Sequence, residues 1–256
     1  MQYSFNIYDL FGYLLPGTVI IILFMLLNHE IQIYPISAEY LGIGGAIVLI
    51  LLAYIIGHFL HSFNVFMEKK YNNSYFEMCG PSIAFIKATK KQWRYSELFL
   101  LDNCNKYSIT YKNSIKEAIS NIFNISESKI NLIYHIDEKN TKDEIDIKHK
   151  QITEIFNLCY TYIIQKNNIK LTELFNGLYA LYRNLLICIY VAIIIFLSII
   201  IKDFINCNFS PKFYIFCLFL PISIFFIWVF KKQVNHYNYL FADSVYWNLL
   251  VSYKVK

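Results

Sequence analysis

Four stretches of this chain, 10–28, 40–67, 184–201 and 213–230, contain no Asp, Glu, Lys or Arg. About 20 apolar residues of helix, rising 1.5 Å each, cross the hydrocarbon core of a bilayer, and every one of the four approaches or exceeds that length. All 23 basic and 18 acidic residues lie elsewhere. The 256-residue chain is 57% hydrophobic but only 16% charged, against about 25% charged in ordinary soluble domains. The deficit is confined to the four stretches. A disordered chain, which lacks such apolar surface, is excluded. The pattern predicts an all-α protein with four transmembrane helices.

Segment 189–201 has no polar face, and 213–230 reads the same way. Pro221 lies inside the latter, where a membrane helix tolerates proline better than a soluble one. The first stretch lacks a Lys/Arg-rich leader and begins behind Asp9, so it reads as a retained span and not as a signal peptide. The expected organisation is a transmembrane hairpin over 1–62, with spans at about 10–28 and 40–60. A helical insert follows over 63–177. A second hairpin over 178–230 has spans at about 184–201 and 213–230, and 231–256 forms an amphipathic tail. Lys69, Lys70, Lys166, Lys170, Arg183, Lys231 and Lys232 flank the spans on one side, and Lys202 and Lys212 on the other. The positive-inside rule then places both termini and the insert in the cytoplasm.

Two amphipathic helices are expected in the insert. Gly80-Pro81 resembles a helix start. Behind it Lys87, Lys90, Lys91 and Arg94 recur at i, i+3, i+4 and i+7, a basic face with Trp93 pointing away. Three roles stay open for this face: docking on anionic lipid, plain solvation, or binding a phosphate-rich ligand. That ligand would be a nucleotide or a short single strand, with Trp93 available for base stacking. The second helix opens at the capping box Thr141-x-x-Glu144, and Ile145, Ile152, Ile155, Phe156, Cys159 and Ile163 share one of its faces. From Thr172 to Ile201 only Gly177 weakens the helical pattern, so the third span is expected to end a longer helix rising from the insert. The second span should likewise continue past His61 toward Lys70.

Small residues at Gly42, Ala46, Ala53 and Gly57 form a stripe on the second span and predict a close helix contact, within the chain or between subunits. His58-x-x-His61 places two imidazoles on adjacent turns. Asp9 and Arg183 bracket the first and third stretches and are close enough to the membrane interface to pair. These four are the interfacial or gating candidates. No further ligand accompanies the histidines, and no C-x-x-C pair is present among the six cysteines, so no metal site is read. Neither a catalytic motif nor a cofactor motif is found.

Three short motifs, Ile7-Tyr8-Asp9-Leu10-Phe11-Gly12-Tyr13-Leu14-Leu15-Pro16-Gly17, Gly57-His58-Phe59-Leu60-His61 and Leu181-Tyr182-Arg183-Asn184, resemble those of small bacterial inner-membrane proteins with a cytoplasmic insert between span pairs. Some of these are encoded in anti-phage defence operons, and the nearest functional comparison is with Hailong-type membrane effectors. The resemblance covers about 20 residues. It implies a homo-oligomeric channel whose opening is set by an oligonucleotide that a partner nucleotidyltransferase makes. It supplies no ligand-binding residues.

Polar groups within the spans are few, chiefly Thr18, Ser198 and Ser223, which disfavours a transporter with a charged midplane site. Any ion path then forms between subunits, closed by a hydrophobic constriction. The leading expectation is a ligand-gated oligomeric membrane effector. The alternatives are a non-catalytic anchor or scaffold and an intramembrane enzyme using His58 and His61.

Overall fold

A computed structural model describes residues 6–31, 42–71, 95–102, 104, 107–136, 140–166, 169–207 and 209–254. Among them the regular structure is helical throughout, without strands. In chain order the elements are α1 (Ile7–Asp9), a π-helical turn (Leu10–Leu14), α2 (Leu15–Ile31), α3 (Ile43–Tyr71) and α4 (Tyr95–Leu98). They continue with α5 (Ile109–Phe123), α6 (Glu127–Tyr134), α7 (Lys142–Gln165), α8 (Lys170–Ile205) and α9 (Pro211–Lys254). Four segments, Ile7–Asn28, Ile43–Asn64, Lys170–Ile205 and Pro211–Lys254, are long and apolar enough to cross a membrane. Pro211 opens α9 at its first position, where its missing N–H costs nothing, and Pro221 lies inside the continuous helix.

Two compact units divide the chain: Met1–Glu68 with Leu174–Tyr237, and Lys69–Glu173 with Asn238–Lys256. The first holds most of the apolar helical surface. Its large side chains point outward to an extent a soluble core never tolerates: Ile43 is 85% exposed, Ile194 64% and Trp228 62%. Inside it, Ala192, Ile195, Phe196, Ile199 and Phe216 pack together, with Leu23, Leu26 and Leu27 against them.

The second unit has a conventional aqueous-type core. Thr141 caps α7 by a full capping box: its hydroxyl accepts from the Glu144 N–H at 3.3 Å, and the Glu144 carboxylate accepts from the Thr141 N–H at 2.8 Å. All six residues of the expected apolar face, Ile145 to Ile163, are buried. Asn124 ends α5 in the left-handed region at φ 54°, a conformation Asn tolerates and most residues do not.

The C-terminal residues, expected as an amphipathic tail over 231–256, form the end of α9. α9 runs unbroken to Lys254, and Ala242, Val245, Tyr246, Leu249 and Leu250 are core residues of the second unit. Their i, i+3, i+4, i+7, i+8 spacing is the helical signal for a buried face. The Tyr246 hydroxyl donates to the Ser96 carbonyl at 2.5 Å, and the Tyr107 hydroxyl donates to Asp243.

Candidate functional site

The three motifs that carry the resemblance converge in the first unit. Its N-terminal strip is held against α8 by a track of small and polar residues at helical spacing. Gly177 leaves room for the Tyr8 backbone, a Cβ there lying 3.5 Å from the Tyr8 Cα, and Gly12 lies against Ala180. Asn184 Nδ2 donates to the Gly12 carbonyl at 2.6 Å, and the Cys188 thiol to the Pro16 carbonyl at 3.5 Å. Gly177 is thus a point of close approach and not merely a weak place in the helix. Gly12 lies within the π-helical turn, a distortion that frees backbone groups and recurs at functional positions.

Asn64 of α3 joins the same point. Its Nδ2 donates to the Arg183 carbonyl at 3.1 Å and also to Asn184 Oδ1. Two asparagines therefore tie the π-helical turn, α3 and α8 together. Both are buried. In an apolar setting such groups are costly unless hydrogen-bonded, so the clasp specifies how the three segments meet.

The interfacial candidates surround this clasp. Arg183 Nη2 lies 2.9 Å from His61 Nδ1, and its guanidinium sits 5.1 Å from the centre of the Tyr179 ring, a cation–π distance. His58 stacks on Tyr13, with centroids 3.7 Å apart, and Tyr54 meets His58 edge-on at 4.6 Å. Asp9 closes a capping box with Asn6, accepting from the Asn6 N–H at 3.1 Å, and its carboxylate lies near the Tyr54 hydroxyl. All four candidates thus belong to one polar and aromatic cluster. Arg183 contacts His61 and Tyr179, and Asp9 contacts Asn6 and lies near Tyr54. Asn64, Tyr54 and Tyr179 are not singled out by the sequence, whereas Asn184, Tyr8 and Tyr13 enter only within the motifs that carry the resemblance. The signal that marks them is polarity inside an otherwise charge-free helix.

The small-residue stripe divides. A Cβ on Gly17 would fall 1.8 Å from the Ala53 carbonyl oxygen, and one on Gly57 would fall 2.0 Å from the Tyr13 carbonyl oxygen. Ala53 and Gly57 therefore make the close contact, with the first span of the same chain. Gly42 and Ala46 are exposed, and nothing lies within 4 Å of a Cβ placed on Gly42. The reason is the N-terminal strip, whose own Gly17 supplies the facing small residue for only that half of the stripe.

Lys87, Lys90, Lys91, Trp93 and Arg94, the basic-face candidates, lie outside the described residues, as do Gly80, Pro81 and Cys79. Within the described part of the second unit, buried polar groups form local networks. Lys112 donates to the carbonyls of Leu101 at 2.7 Å, Asp102 at 3.2 Å and Cys104. Asp102 pairs with Lys116 at 2.8 Å and His135 at 3.1 Å. His149 and Thr153 meet the buried Glu97 at 3.1 and 2.8 Å. Burial, followed by the Asp243 charge, pushes the Tyr111 hydroxyl up to about 12. Among the described residues no cluster of His, Cys, Asp and Glu suits a metal ion.

Comparison with protein families, curated proteins and solved structures returns no match to the chain.

Proposed function

We propose that the chain is a homo-oligomeric channel or membrane effector of a bacterial inner membrane, controlled by a cytoplasmic nucleotide or oligonucleotide. The second unit would face the cytoplasm and receive the signal. A neighbouring nucleotidyltransferase would supply it, as the resemblance to anti-phage effectors implies. One observation carries this reading: α8 and α9 each run unbroken across the boundaries of the two units, which fall at residues 173/174 and 237/238 inside those helices. A helix that belongs to a soluble-type core at one end and to an apolar span at the other transmits displacement without a hinge loop.

The first unit supports an ion path between subunits in preference to one inside a subunit. Its groove of about 240 Å³ is lined by apolar side chains, including Val19, Leu23, Leu185, Ala192, Phe226 and Phe230. Such a surface does not hydrate an ion.

The test is flux from potassium-loaded liposomes containing the purified protein, with nucleoside triphosphates or short single-stranded oligonucleotides added outside. The reading expects at least a tenfold change in flux with one ligand class. Flux equal to that of empty liposomes under every ligand contradicts a channel. Co-purification of a cytoplasmic protein without flux supports the scaffold instead.

A further inference from the structure

We propose that the groove between α2, α8 and α9 holds one acyl chain of an anionic phospholipid, whose headgroup lies at the level of Lys231. All of its lining belongs to the first unit. The floor is small and buried: Cys188 and Ala192 of α8 are 2% and 9% exposed. Larger side chains stand on either side, Val19 and Leu23 from α2, and Phe226 and Phe230 from α9. The lined part of α8, from Leu185 to Ala192, is about 10 Å long at 1.5 Å per residue.

This shape favours a hydrocarbon chain over a further helix. A helix with its side chains is about 10–12 Å across, and membrane helices approach closely where small residues stand at the surface. Here the small residues lie at the bottom, and Phe226, 43% exposed, stands at the rim. A second backbone is held off, whereas a chain one methylene wide reaches the floor.

One end of the groove lies at the headgroup level. Phe230 ends the charge-free stretch 213–230, and Lys231 and Lys232 follow at once, both exposed. Lys231 is about 100° round α9 from Phe230. Lys232 holds its ammonium 5.7 Å from the centre of the exposed Trp228 ring, and tryptophan and lysine in this position mark a membrane–water interface. Tyr182 packs on Phe230 with ring centroids at 5.5 Å and on Tyr237 at 5.4 Å. No Asp or Glu occurs between Glu173 and Asp203 or between Asp203 and Asp243, and Asp9 precedes Val19 by ten residues. The charge beside this end of the groove is therefore positive and complements a phosphate. The inference rests on the first unit lying in lipid and holds for a scaffold as well as a channel, so its test uses no flux.

The experiment is native mass spectrometry of the purified full-length protein in detergent, after exchange into an equimolar mixture of dioleoylphosphatidylglycerol and dioleoylphosphatidylcholine. Wild type should retain the anionic lipid at least fivefold over the zwitterionic one, at one molecule per protomer. F226A removes part of a wall and should retain at least threefold less lipid. F225A, at a residue exposed on the same helix but outside the groove, should match wild type. If F226A does not fold, I189A, which trims the α8 lining, replaces it. K231Q/K232Q should keep the lipid and lose the preference. Equal retention of the two lipids by wild type, equal retention by F225A and the groove variant, or an unchanged preference in K231Q/K232Q overturns the proposal. So does a groove variant that loses oligomers while keeping its lipid, which assigns the groove to a second copy. Protein that stays soluble without detergent refutes the membrane reading, and this inference with it.

Discussion

Gly57 meets Tyr13 backbone to backbone: a Cβ at Gly57 would lie 2.0 Å from the Tyr13 carbonyl oxygen. Neither partner can retreat without moving its helix. G57A, and likewise G17A against Ala53, should destabilise the first unit by at least ~1–3 kcal/mol, the overpacking range. That outweighs the ~0.5–1 kcal/mol alanine normally gains over glycine in a helix. G44A, with open space around it, should be neutral or stabilising. Thermal unfolding in detergent separates the two sets, and equal melting temperatures would mean α2 and α3 do not approach as described.

Asn184 reaches the Gly12 carbonyl at 2.6 Å and also receives Asn64. N184L should cost about 1–2 kcal/mol, the upper range for hydrogen bonds between membrane helices. It should also make the N-terminal strip accessible to protease, which the loss of a solvent-exposed asparagine would not.

Lys112 is buried yet held by three backbone carbonyls. K112M fits the aliphatic stem but leaves those acceptors unpartnered, an expected loss of about 3 kcal/mol from the second unit. The exposed K150M serves as the control and should unfold with the wild type in urea.

The Glu144 carboxyl is held below the ordinary carboxylate range, first by the Thr141 backbone N–H and then by the Asn140 side chain. Its contribution is complete above the unfolded-state value, about 4.3, and is lost as pH falls through the lowered folded value. The acid limb of a circular-dichroism titration should therefore flatten in E144Q. T141A should shift the same limb and also lower stability near neutrality by about 1 kcal/mol, the usual worth of a cap. Superimposable acid limbs in wild type and E144Q would remove this account of the α7 start.

Much of the architecture follows from features that act locally. Absence of charge marks four helices, and the Thr141 box with six apolar residues at helical spacing marks α7. His58, His61, Asp9 and Arg183 are ionisable groups within or beside the charge-free stretches, and they gather in one cluster. The asparagine clasp depends on tertiary proximity: Asn64 and Asn184 are 120 residues apart, and no local pattern links them. The last part of α9 belongs to the second unit because Ala242, Val245, Tyr246, Leu249 and Leu250 need a partner surface, which their spacing alone does not identify. The stripe on α3 makes its close contact within the chain at Ala53 and Gly57 for a related reason. Small residues permit approach, but only a facing small residue such as Gly17 realises it.

In the proposed reading the apolar helices lie in lipid and the second unit lies on the cytoplasmic side. Cys207 is exposed, just past the end of α8, and Glu154 is exposed on α7. A membrane-impermeant maleimide applied to intact spheroplasts should label Cys207 at once, whereas a cysteine at position 154, introduced as E154C, should react only after permeabilisation. Labelling of E154C in intact spheroplasts, or recovery of the unmodified protein in the soluble fraction without detergent, would contradict the account.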